Sequence, residues 1–83
     1  MDKFDGEKNE YRTKDLGEIA TLFCMDAKYV RMERVDSVCW FIFLDIDFCW
    51  DISNRYFYGN LSVHPRVFYE VLSRLKTKIF ANK

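Results

Sequence analysis

Seven consecutive residues, Val38-Cys39-Trp40-Phe41-Ile42-Phe43-Leu44, carry neither a charge nor a turn former, and any fold of this chain has to cover them. β-Branched and aromatic side chains suit a pleated surface, so the stretch reads as a strand. Val38, Trp40, Ile42 and Leu44 fall on one face and Cys39, Phe41 and Phe43 on the other. A strand apolar on both faces needs cover on both, and an open edge on it would invite another chain.

The means of covering it are limited by size. A chain of 83 residues is one small domain that buries only about 60–65% of its surface on folding. Aromatic residues make up 18% of it, which compensates with large buried area. Disulfides are not the expected supplement, because the cysteines number three and the sequence shows no secretory leader. Reduced thiols and a cytoplasmic location are the expectation. No stretch approaches the roughly 18 apolar residues of a membrane span, so no membrane association is expected.

Around the strand the periodicity changes along the chain. Residues 1–10 have one aromatic among charged and small residues and read as a mobile tail, leaving 11–83 as the compact domain. Thr13 and Asp15 are helix-start residues, and Leu16, Ile19, Ala20 and Phe23 recur at helical spacing, which predicts a helix over about 14–25 with Gly17, Thr21 and Met25 off its core face. Alternation over 28–35 predicts a strand with Val30 and Met32 on one side and Tyr29, Arg31, Glu33 and Val35 on the other. Asp36-Ser37 then makes a hairpin turn into Val38–Leu44. Asp45 caps a second helix that Gly59 ends. That helix carries Phe48, Cys49, Ile52 and Tyr56 on one side, with Trp50 and Phe57 as a second stripe. Pro65 opens a third helix to about Phe80, with Val67, Phe68, Val71, Leu72, Leu75 and Ile79 toward the core. The expected fold is α+β: a small α-β-β-α-α domain, an antiparallel hairpin packed against three helices, with the sheet extended across a dimer as a further option.

Catalytic chemistry is poorly provided for. Asp45, Asp47 and Asp51 have the oxygen ligands a hard cation prefers, but cap, first-turn and solvent positions explain them. Cys24, Cys39, Cys49 and His64 have zinc-ligand character but lie on four segments without a Cys-x-x-Cys pair. Neither set joins a nucleophile, an oriented base and a charge stabiliser, so the chain is read as a non-enzyme with no cofactor and no metal.

What remains are surfaces. Trp40, Ile42, Trp50 and Phe57 are the expected protein interface, and a second copy of the chain, giving a homodimer, is the simplest partner, with another protein as the other option. The alternative partner is nucleic acid. Residues 52–83 hold six basic and one acidic residue, and Arg66, Arg74, Lys76 and Lys78 could follow a phosphate backbone. The balance of 13 basic and 13 acidic residues over the whole chain weighs against it.

Taken together, Tyr11-x-Thr13-x-Asp15-Leu16, a helix, a hairpin ending in Phe41-x-Phe43, and then Tyr56-x-x-Gly59, Val63, Phe68 and Leu75-Lys76 resemble a family of small microbial and phage-borne proteins catalogued as domain of unknown function 5659. The resemblance covers about residues 11–80. It implies a compact domain from a phage or mobile-element setting, with Tyr56 and Gly59 serving the fold, and it carries no catalytic or binding residue with it.

Overall fold

Val38–Leu44 is the middle strand of a three-stranded antiparallel sheet. The computed structural model describes residues 9–81. Its elements run β1 (Glu10–Thr13), α1 (Leu16–Cys24), β2 (Tyr29–Val35), β3 (Val38–Leu44), α2 (Ile46–Tyr58) and α3 (Pro65–Ala81), with strand order β1-β3-β2. The fold is thus α+β, a hairpin packed on helices, with one strand more than the sequence pattern indicates. That strand, EYRT, is too short and too polar for a period to show. It closes the edge of β3 by pairing Tyr11 with Phe43 and Thr13 with Phe41, so both edges of the apolar strand are satisfied within one chain. Glu10 therefore belongs to the domain and not to a tail. Asn9 does as well, its Oδ1 accepting from the Ile46 amide at 3.1 Å. The rest of the expected tail, residues 1–8, lies outside the described residues.

The hairpin turns at Asp36, whose left-handed φ of 58° is one that aspartate tolerates better than most residues. Along β2 the register slips between Tyr29 and Arg31. This bulge interrupts the expected alternation at its start, because the extra residue, Val30, moves Tyr29 onto the same face as Met32, while Arg31, Met32, Glu33 and Val35 keep the expected sides. Tyr29 accordingly stacks with Phe23, Phe41 and Phe43, at ring separations of 5.3 to 5.9 Å.

The two faces of β3 are covered by different chemistry. Phe41, Phe43 and Cys39 point toward the helices and join Ile19, Ala20, Leu22, Cys49, Ile52 and Leu75 in the core. Ile42 points the other way and is nonetheless fully buried. Its strand neighbours are Arg12 and Arg31, one on each side. These arginines form a chain of ion pairs over it: Glu10 with Arg31 at 3.1 Å, Arg31 with Glu33 at 2.6 Å, and Glu33 with Arg12 at 3.2 Å. Trp40 lies beside them beneath Arg12 and Lys14, both within 6 Å of its ring centre. The aliphatic stems of long cationic side chains exclude water while their heads stay solvated. The second face therefore has intramolecular cover.

α1 is the most enclosed helix, touching the sheet, α2 and α3, with an unbroken buried run from Glu18 to Leu22. Leu22 and Thr21 are buried together with the expected Ile19 and Ala20, because neighbours on two sides widen the apolar stripe into most of the circumference. Gly17 is also a packing position. A Cβ there would overlap the Tyr56 hydroxyl and lie 3.0 Å from its Cζ, so any larger residue at position 17 would have to displace the Tyr56 ring. Gly17→Ala is expected to destabilise the fold by about 1–3 kcal/mol through this overlap, against roughly 1 kcal/mol gained from helix propensity. Tyr56→Phe removes the clashing oxygen and should restore part of the loss, so a double-mutant cycle by chemical denaturation would show positive coupling. Additive effects would mean that Tyr56 swings aside without cost.

α2 is capped as the sequence indicates. Asp45 accepts from the Phe48 amide, and Gly59 takes a left-handed φ of 75° while Asn60 donates back to the Arg55 carbonyl. Of the expected core positions, Phe48 at 38% exposed and Val67 at 44% stay on the surface. Each sits at the margin of its helix's apolar stripe.

Candidate interaction surface

The surface forms where β1, the start of α1 and the outer face of α2 meet. Asp15 caps α1 by accepting from the Glu18 amide at 2.9 Å. In a usual capping box the acid three residues on would reach back to the cap amide. Here Thr13 takes that place, with its Oγ1 accepting from the Asp15 amide and donating to Glu18 Oε1 at 2.6 Å. Tyr11 donates to the other carboxylate oxygen at 2.5 Å. Glu18, only 8% exposed, is thus held on both oxygens by two residues of β1. The arrangement joins strand to helix.

Burial, followed by the bond to Glu18, pushes the Tyr11 phenol up to about 12 from an ordinary value of 10.0. Between those values the folded chain keeps a proton that the unfolded chain has lost. The contribution is complete below pH 10 and disappears as pH rises toward 12. Tyr29 and Tyr56 are raised too, chiefly by burial, so they add to the same alkaline loss. Tyr11→Phe should therefore flatten, without abolishing, the fall of the thermal midpoint across this range. An unchanged slope would place the titration elsewhere.

Above Glu18, the outer face of α2 carries a groove of about 250 Å³ lined by Asp15, Glu18, Trp50, Asn54, Tyr56 and Phe57, among others. Trp50 meets the Tyr11 ring edge-on at 6.5 Å but remains 60% exposed, and Phe57 is 75% exposed. Cys49 and Ile52 hold the helix down from the opposite side. The second stripe of α2 thus faces away from the core, as its displacement around the helix predicts.

The four expected interface residues divide into two pairs. Trp50 and Phe57 share the α2 groove. Trp40 and Ile42 lie on the sheet face turned away from the helices, under the arginine–glutamate cover, with Ile42 inaccessible. The four expected phosphate contacts also divide. Arg74 and Lys78, one turn apart on α3, line a common cleft, while Lys76 stands roughly 160° around the helix from either. Arg66 is exposed at the first turn.

Among the described residues no group of three or more His, Cys, Asp or Glu side chains is placed to hold a metal ion, and no helix is long and apolar enough to cross a membrane. His64 Nδ1 accepts from the Arg66 amide at 3.2 Å, Asp51 pairs with Arg55, and the three cysteines are free. Burial raises the Cys49 thiol to about 11, which makes it a poor nucleophile. No family model, curated protein or solved structure matches the chain, so the resemblance to domain of unknown function 5659 rests on the short motifs quoted above.

Proposed function

We propose that this protein is a non-enzymatic interaction module that acts as a homodimer, with the outer face of α2 as its contact surface. The observation that carries the reading is the pair Trp50 and Phe57, two large aromatic side chains that stay mostly exposed while smaller apolar groups are buried. Tryptophan and tyrosine dominate the energetics of interfaces, and isolated aromatics of this size are costly to leave in water.

The spacing favours a second copy of the same chain. Trp50, Asn54 and Phe57 fall at i, i+4 and i+7, the seam of a helix that packs against another helix. Placing Asn54 near a two-fold axis between antiparallel α2 helices sets Trp50 of one protomer against Phe57 of the partner subunit. The patch is therefore complementary to itself, as a two-fold interface requires. A polar asparagine in an apolar seam also fixes register. The test is the native mass by light scattering at micromolar concentration. A value near twice the 10.1 kDa of one chain supports the reading, and a monomer at all concentrations overturns it.

A further inference from the structure

The cleft that holds Arg74 and Lys78 lies away from α2, and its lining combines two kinds of side chain. Phe23 of α1 and Val71 and Leu75 of α3 make an apolar floor, and the two cations stand at its margin, enclosing about 330 Å³. Among the described residues no carboxylate lines it. Arg34, from the end of β2, donates to the Ile79 carbonyl at 3.1 Å, which brings a third cationic side chain beside the turn of α3 that carries Lys78. Leu75 is 5% exposed, and Phe23 is fixed from behind by Phe43 at 5.3 Å, so the floor is preformed.

We infer that this cleft is a binding site for an amphipathic carboxylate: one short hydrocarbon chain on Phe23, Val71 and Leu75, and one anionic head between Arg74 and Lys78. The charge distribution decides for this class. An apolar chain alone would gain nothing from two adjacent cations, whose mutual repulsion an anion relieves, and a cationic amphiphile would be repelled by them. The volume lies at the lower end of the range for small-molecule pockets, matching a short chain.

The test uses the full chain with decanoate and, for comparison, decanol and decyltrimethylammonium, followed by amide and methyl NMR shifts. The expected result is saturable decanoate shifts at Phe23, Val71 and Leu75, with decyltrimethylammonium binding about tenfold or more weaker and decanol between them. Arg74→Glu combined with Lys78→Glu should weaken decanoate about five- to tenfold or more with the far-ultraviolet circular dichroism unchanged. Both positions are exposed, so the fold survives. Val71→Trp, which fills the cleft, should abolish the shifts. Equal affinity for the three amphiphiles, shifts confined to the Trp50–Phe57 face, or an acidic extended peptide that displaces decanoate and binds more tightly would each overturn the assignment. None of these outcomes depends on whether the chain dimerises.

Discussion

Phe43→Ala should remove a large share of the folding stability of this chain. Phe43 has no exposed surface, sits on the middle strand, and packs against Phe23 and Tyr29 while pairing in register with Tyr11 and Tyr29. Truncating a fully buried phenylalanine costs about 3–5 kcal/mol in lost transfer energy and cavity. A domain of this length has roughly 4–12 kcal/mol in all. Urea denaturation followed by circular dichroism measures the loss directly. Val35→Ala, at a position 48% exposed on the neighbouring strand, should change stability by no more than about 0.5 kcal/mol. Equal effects at the two positions would contradict the placement of the core.

Trp50→Asp combined with Phe57→Asp should dissociate the proposed dimer while the monomer stays folded. Each aromatic, if it anchors the contact, contributes about 2 kcal/mol or more, so the pair shifts the dissociation constant by roughly a thousandfold. Because both side chains are mostly solvent-exposed in the single chain, their loss removes little from the core. Sedimentation velocity over a concentration series reads the shift, and circular dichroism confirms the fold. A folded variant that dimerises as tightly as the parent would place the contact on another face.

The helices were legible in the sequence because their signals are local. Asp45 and Gly59 mark the ends of α2 by side-chain capping and left-handed backbone, and Pro65 marks the start of α3, all within a few residues. The outward stripe of Trp50 and Phe57 follows from geometry at 100° per residue and needs no knowledge of neighbours. What could not be read depends on partners distant in sequence. β1 is a strand because Tyr11 and Thr13 meet Phe43 and Phe41 some 30 residues later, and four polar residues advertise nothing of this by themselves. The same holds for the second face of β3. Ile42 is hidden by Arg12, Arg31 and Glu33, charged residues that a pattern of polar and apolar positions assigns to solvent.

Glu18 shows how a local signal can mislead. Its position three residues after Asp15 suits a capping box, yet its carboxylate is turned inward to Tyr11 and Thr13. Tyr11-x-Thr13 places both side chains on one face of a strand, and that spacing was the available clue. Tyr29 joins the face of Met32 for a reason no alternation count reveals, since a bulge is a property of paired strands. The cleft of Phe23, Arg74 and Lys78 likewise exists only once α1 and α3 are packed.

The most direct measurement is disulfide crosslinking of Asn54→Cys, which would place a thiol near the proposed two-fold axis between antiparallel α2 helices. Mild oxidation of this variant should give a covalent dimer joined through position 54, located by mass spectrometry, at a rate well above that of Asn60→Cys beyond the end of the helix. A covalent dimer that forms no faster at position 54 than at position 60, or none at all under conditions where the thiol is reactive, would contradict the α2 face as the contact surface.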